Sequence, residues 1–216
     1  MIDIQDDSRR SARALVFIIL FLILAFLVKT GNGLVYGFDF AIQRILQPIT
    51  FPALIGLIHL VTYLGCPPFA FLLTIGASAW IFFKYDHIDG IWAFGTTIVC
   101  MGVAFIMKHV VARPRPLNKL APADGFSFPS GHVFTTMLLV LVVLTFILPR
   151  MENQDRRQML RVALICWVIF IAFTRIYLRD HFATDTIGSA LLAGGLWEVS
   201  LLCYTKFVGT SKYFKS

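Results

Sequence analysis

Apolar residues in this chain come in long blocks separated by short polar stretches. Six blocks, at about 13–30, 67–83, 90–107, 131–148, 160–177 and 184–204, are long enough for a helix that crosses a hydrocarbon layer roughly 30 Å thick. The stretch FPALIGLIHLVTYLG (51–65) is apolar too, but Pro52 opens it and Gly65-Cys66-Pro67-Pro68 closes it. An interfacial helix is expected there, with a seventh crossing as the alternative. The predicted fold is therefore all-α: a polytopic membrane helical bundle of about six transmembrane helices with an interfacial helix after the first. It forms a single domain over 1–216, with a motif-bearing core at about 67–204. Arg9, Arg10 and Arg13 give the first block the basic start of a signal peptide. The block runs on into VKTGNG, which contains no A-x-A-like site, so an uncleaved first span is expected.

Composition supports a membrane protein. Apolar residues make up 58% of the chain and charged residues 14%, against about 45–50% and about 25% in soluble domains. The net charge of +7 does not point to nucleic acid, because the basic residues fall at the ends of the apolar blocks, where they set orientation. With six spans, eleven of the nineteen Lys and Arg lie on the side of the N-terminus: Arg9, Arg10, Arg13, Lys84, Arg150, Arg156, Arg157, Arg161, Lys206, Lys212 and Lys215. That bias places both termini in the cytoplasm. The basic residues on the other side gather around Lys108, Arg113 and Arg115 and around Arg175 and Arg179, and orientation does not explain the clustering. Cys66, Cys100, Cys166 and Cys203 lie in or beside apolar blocks without C-x-x-C spacing, as small hydrophobes.

Three segments share the outer side. KHVVARPRP (108–116) closes the third span, SFPSGH (127–132) opens the fourth, and TRIYLRDHFATD (174–185) joins the fifth to the sixth. His181 and Asp185 are four apart, on one face of a helix. A carboxylate there can hold one ring nitrogen and leave the other free as a nucleophile. Arg175 offers a fork that matches phosphate oxygens. Lys108 ends an apolar span. Pro114 and Pro116 restrict the backbone around Arg115, with Arg113 as a substitute close by. Pro129 and Gly131 bracket Ser130 at an expected helix start, where free backbone N–H groups favour an anion. His132 then stands beside that anion as a candidate general acid.

Together these segments resemble the type 2 phosphatidic-acid phosphatase (PAP2) family, in its membrane-bound lipid phosphatase branch. The family motifs K-x6-R-P, P-S-G-H and S-R-x5-H-x3-D read here as Lys108-x6-Arg115-Pro116, Pro129-Ser130-Gly131-His132 and Thr174-Arg175-x5-His181-x3-Asp185. Thr174 stands where the family has Ser, keeping a hydroxyl. The resemblance implies that His181 is the nucleophile and forms a phosphohistidine, that Asp185 orients it, and that His132 protonates the leaving oxygen and later activates water. It implies that Lys108, Arg115, Ser130, the Gly131 N–H and Arg175 bind the phosphoryl oxygens. No metal and no other cofactor is implied.

Other polar residues receive plainer readings. His59, His87 and His109 lack a partner at fixed spacing. Asp39 and Arg44 are expected at the outer interface, where solvation explains them. Glu198 needs an Arg or Lys at the inner surface, and the small residues Ala190 and Gly194 suit close helix packing. The expected function is hydrolysis of a lipid phosphomonoester or diphosphate, such as undecaprenyl diphosphate, phosphatidylglycerol phosphate, phosphatidate or lipid A phosphate. The short chain suggests a bacterial inner (plasma) membrane, with the site on the periplasmic or extracellular side. The expected partners are the lipid phosphate and the bilayer, with no nucleic acid; neither the lipid nor the oligomeric state is selected by sequence. The alternatives are a lipid phosphotransferase using the same phosphohistidine and a non-catalytic lipid-binding or transport protein.

Overall fold

The structure, a computed structural model, describes residues 7–49 and 51–209. Among the described residues there are eight α-helices and no strand: α1 (Asp7–Lys29), α2 (Gly33–Leu46), α3 (Pro52–Thr62), α4 (Pro67–Lys84), α5 (His87–Val111), α6 (Gly131–Val142), α7 (Gln154–Tyr177) and α8 (Ala183–Tyr204). A π turn (Val143–Ile147) and a 3-10 turn (Leu148–Arg150) prolong α6, and a π turn (Thr205–Gly209) prolongs α8. Six stretches have the length and hydropathy to cross a membrane: Asp7–Lys29, Pro52–Lys84, His87–Val111, Gly131–Arg150, Gln154–Tyr177 and Ala183–Val208. They coincide with the expected blocks. Several helices start earlier than their apolar blocks because polar first turns, as in α1 and α7, are helical without being apolar.

Helix ends follow local chemistry. The side chains of Asn32, Asp86 and Asn153 accept from the first free backbone N–H groups of α2, α5 and α7. Pro52 opens α3, and Pro67 with Pro68 opens α4. The 11 residues of α3 span about 16 Å at 1.5 Å per residue, too short to cross alone. One 3-10 turn (Tyr63–Gly65) leads from α3 into α4, so 51–65 forms a helix but not a seventh crossing. The helix α2 has no counterpart among the apolar blocks. It lies over the end of the bundle that carries the three motifs.

The small residues of α8 let its neighbours approach closely. A Cβ on Gly195 would stand 2.9 Å from Ile18 Cγ1, and one on Gly188 would stand 2.5 Å from the Phe128 ring. Helix α1 therefore packs along α8 at Phe17 and Ile18, with Gly194 in ordinary contact, as expected of that small-residue stretch. Phe21 of α1 stacks on Phe128. Large apolar side chains such as Ile19, Phe26, Phe83, Val99 and Phe105 point outward, which suits a surface solvated by lipid. At the end opposite the motifs, Glu198 meets Arg13 at 2.9 Å and Arg10 at 3.5 Å, the basic partners it was expected to need. Thr205 there donates to Asp7 at 3.2 Å, so the described start and end of the chain lie together. Lys212 and Lys215, assigned to the same side by the charge pattern, lie outside the described residues.

Candidate active site

Two connections build the site. The loop 112–130 leaves α5 and enters α6; the turn 178–182 joins α7 to α8. They are stitched by Leu120 N–H donating to Leu178 O (2.9 Å) and Ser130 N–H donating to Asp185 O (3.3 Å). Within the loop, Ser127 N–H donates to Arg113 O at 2.8 Å. The Phe128–Pro129 bond is cis, and Ser130 is the N-cap of α6, as the motif predicts. Its hydroxyl caps nothing: Ser130 Oγ is buried with no partner among the described residues, so it is free to donate to a ligand.

His181 is fully enclosed. Its Nε2 lies 3.2 Å from Arg115 Nη1, and its Nδ1 lies 3.5 Å from Asp185 Oδ2. A guanidinium can only donate, so Nε2 is the acceptor and holds its lone pair toward Arg115. The ring proton of the neutral imidazole is then on Nδ1, which faces the carboxylate at 3.5 Å without a formed hydrogen bond. Such contacts often tighten when a ligand binds. Asp185 is fixed from two sides: Phe182 N–H donates to Oδ2 (2.9 Å), closing the first turn of α8, while Arg113 Nη1 donates to Oδ1 (2.7 Å).

Arg113 carries the network further. Its Nη2 donates to Asp39 Oδ2 at 2.6 Å and its Nη1 to Thr184 Oγ1 at 2.8 Å. Thr184 gives both its N–H (2.9 Å) and its hydroxyl (2.7 Å) to Asp39. The guanidinium stacks on Phe182, 4.0 Å from the ring centroid. Burial works against the Arg113 cation, but Asp185 and Asp39 outweigh it and hold its pKa above the ordinary arginine range. Two expectations change here. Asp39 is completely buried and not solvated at the interface. Arg113 is committed to two carboxylates and is no substitute for Arg115.

Of the remaining cations, Arg115 lies against Nε2 of His181 and Arg175 acts on the ring electrostatically. Arg115 is held by backbone carbonyls, with Nε and Nη2 donating to Asp124 O (3.1 and 2.9 Å) and Nη1 to Asp180 O (2.8 Å). Arg175 Nη2 pairs with Asp180 Oδ2, and its Nη1 donates to Thr62 Oγ1 at 3.2 Å. Thr174 lies 3.0 Å from the same Thr62 hydroxyl, so the hydroxyl kept at that motif position belongs to the support of Arg175. Lys108 Nζ donates to Phe126 O and Pro129 O, both at 2.9 Å, clamping α5 to the loop and leaving one N–H. His132, half-buried in the first turn of α6, has no side-chain hydrogen bond among the described residues, and it lies within electrostatic reach of Lys108, Arg115, Arg175 and His181. The sequence-derived residues Lys108, Arg115, Ser130, Gly131, His132, Arg175, His181 and Asp185 thus converge at one end of the bundle. His59 and His109 face Tyr63 and Phe105, and His87 faces Phe82. Among the described residues no three His, Cys, Asp or Glu side chains group as a metal site.

Burial pushes the His181 imidazole down to about 4; Asp185 pulls it upward without offsetting burial, and Arg115 and Arg175 push it further down. The folded protein therefore keeps His181 neutral while an unfolded chain would protonate it near pH 6.5. This stabilisation is complete above pH 6.5 and is lost as pH falls toward about 4. Denaturation at pH 7 and at pH 4.5 should show the wild type losing more stability than His181→Gln, by roughly 2–3 kcal/mol. Equal losses would mean that His181 is not buried neutral.

Asp39, Arg113 and Asp180 have no place in the three motifs as functional groups. Burial raises the pKa of Asp180, more than Arg175 and Arg115 lower it. One signal was available. Asp39, Asp124, Asp180 and Asp185 are the acidic residues on the motif side of the chain, and three of the four are fully buried. Acidic residues this sparse in an apolar protein are candidates for pairing with the clustered cations.

Sequence comparison agrees with this architecture. The profile of the PAP2 superfamily matches residues 89–208, which includes every motif residue named above. The chain belongs to the PAP2 superfamily. It is 30% identical over 174 residues to phosphatidylglycerophosphatase B of Bacillus subtilis (strain 168), covering 78% of this chain and 83% of that protein. It is 25% identical over 162 residues to dolichyldiphosphatase 1 of Rhinolophus ferrumequinum, covering 70% of this chain and 66% of that one. The crystal structure of a transmembrane PAP2 type phosphatidylglycerolphosphate phosphatase from Bacillus subtilis has the same fold, with a TM-score of 0.80 at 24% identity, covering 90% of this chain and 97% of that chain. With its six apolar helices, this PAP2 chain is an integral-membrane phosphatase.

Proposed function

We propose that the chain removes phosphate from a membrane lipid phosphate or diphosphate through a phosphohistidine formed on His181. The observation that carries this reading is the placement of the His181 ring between Arg115 and Asp185. Nε2 faces the Arg115 guanidinium, which can only donate to it, while Nδ1 faces a carboxylate that is itself held by Arg113. Nε2 attacks phosphorus and the bond to the lipid oxygen breaks, His132 giving its proton to that oxygen. Asp185 stabilises the charge that appears on the imidazole. Water then attacks the phosphohistidine, His132 takes the water proton, the P–N bond breaks, and inorganic phosphate leaves. Lys108, Arg115, Arg175, Ser130 Oγ and the Gly131 N–H balance charge on the phosphoryl oxygens, which is where most catalysis of phosphoryl transfer arises.

The lipid chemistry is supported by the relatives, whose names specify a phosphatidylglycerophosphate and a dolichyl diphosphate. The site lies at helix ends, so a tail can stay in the bilayer while the phosphate reaches His181. The charge pattern favours cytoplasmic termini, with the site on the opposite face of the membrane. Incubating detergent-solubilised protein with a long-chain lipid carrying ³²P-phosphate, in EDTA, tests the reading. Expected are release of free phosphate and, after a rapid alkaline quench, acid-labile label on the peptide containing His181. Label transferred to a lipid hydroxyl, or release abolished by EDTA, would overturn it.

A further inference from the structure

Beside the reaction centre is a cationic cavity of which the reaction above uses only Arg115. It measures about 440 Å³ and lies between α2, the loop around Pro114–Asn118 and the turn at Arg179. Three arginines line it, Arg44, Arg115 and Arg179, together with Gln43 and the rings of Tyr36 and Phe182; no carboxylate side chain does. Arg115 is the shared wall, its Nη1 lying 3.2 Å from His181 Nε2. Arg44 and Arg179 have no ion pair or side-chain hydrogen bond among the described residues, and Gln43 Nε2 is buried without a partner.

Arg44, exposed in the last turn of α2, has an ordinary explanation as a cation at a helix C-terminus. Arg179 has none. Helices α1 and α7 end in the same cap: Gly31 N–H donates to Val28 O and Asn32 N–H to Leu27 O, just as Arg179 N–H donates to Ile176 O and Asp180 N–H to Arg175 O. The cap requires a left-handed residue, with φ of 69° at Gly31 and 55° at Arg179. Glycine meets that requirement without strain, whereas arginine does not. An unpaired arginine thus occupies a glycine position at the edge of a cavity that shares a wall with the reaction centre. Lipid-headgroup anchoring does not require a residue so placed.

We propose that this cavity binds a second phosphate group of the lipid substrate, so that the enzyme prefers lipids carrying two phosphorus centres, either a diphosphate or a phosphodiester joined to a terminal phosphate. This rests on the phosphatase reading above. Arg115 bridges the two phosphates, and Arg44, Arg179 and the Gln43 amide receive the one that is not transferred. Phosphatidate, with one phosphate, leaves the cavity without an anion.

The test compares kcat/KM on a polyprenyl diphosphate and on phosphatidate for the wild type, Arg44→Gln and Arg179→Gly. Each variant should lose about 10–100-fold on the diphosphate, the range of one charge-assisted hydrogen bond, and stay within about threefold on phosphatidate. Arg179→Gly should also melt higher than the wild type, which separates loss of the contact from loss of the fold. Equal changes on both lipids, or none, overturn the proposal. So does weaker inhibition by inorganic phosphate with both lipids unaffected, which would assign the cavity to free phosphate. Hydrolysis of phosphatidate by the wild type keeps this test separate from the parent reading, because in this assay that reading fails if neither lipid is hydrolysed.

Discussion

His181→Gln is expected to lower phosphate release by about 10⁴-fold or more, the scale of losing a nucleophile that works with a partner group. Glutamine preserves much of the volume and a hydrogen-bonding end, so Asp185, Arg115 and the packing of Phe182 keep a neighbour. Every cation around the site remains. What disappears is the nitrogen lone pair that attacks phosphorus, and neither neighbouring cation replaces it: Lys108 is clamped to two carbonyls and Arg115 can only donate. Substrate affinity should therefore change far less than turnover, so kcat falls while KM stays within a few-fold. Initial rates on a long-chain lipid phosphate, with melting at pH 7 as a control for folding, would show it. Activity within about tenfold of wild type in folded protein would exclude His181 as the nucleophile.

Arg113→Met should be the most damaging substitution for stability, at about 3–5 kcal/mol, the usual consequence of leaving a buried ion pair without one partner. Here two carboxylates lose the same partner. Asp39 and Asp185 are both fully buried, 2.6 and 2.7 Å from the guanidinium, and Thr184 alone cannot neutralise either. The loss should reach the reaction as well, because Asp185 freed from Arg113 can turn away from His181 Nδ1. Arg113→Lys keeps the charge but cannot bridge both carboxylates with a planar fork, so it should recover part of the stability and less of the rate. Adding Asp39→Asn to Arg113→Met should restore stability, since one of the stranded charges is removed. Denaturation in detergent and kcat/KM for the three variants provide the measurement. If Arg113→Met melts within a degree of the wild type, the Asp39–Arg113–Asp185 network does not hold α2 to the site.

Much of the site is legible without the fold, because its residues are linked by short spacings. The four-residue spacing of His181 and Asp185 does bring them together, although His181 lies in the turn before α8 and not on its face, and Pro129-Ser130-Gly131 marks a helix start that the structure places at Gly131. The residues whose roles differ from expectation are those with partners distant in sequence. Asp39 and Arg113 are separated by 74 positions, and nothing local indicates that one is buried against the other. The helix that carries Asp39 is hidden for a related reason. Fourteen residues with moderate hydropathy make no membrane-length block, and α2 exists because Asn32 caps it and because it covers the site. Arg179 reads in sequence as one more outer cation, and only the backbone angle shows that it stands in a glycine position.

The sequence by itself determined the helical membrane architecture and named the motif residues that the fold brings together at one end of the bundle. Hydrocarbon thickness converts block length directly into a number of spans, and short spacing keeps His181 within reach of Asp185 across the start of α8. The tertiary structure decided how the charges are shared. In a low-dielectric interior, an ionised side chain stays charged only if a counter-charge lies within a few ångströms, and sequence order does not specify that distance. The folding of α2 and the loop 112–130 against the start of α8 assigns Arg113 to Asp39 and Asp185 and leaves Arg115 facing His181. That division separates the arginine that supports Asp185 from the one that faces the proposed nucleophile.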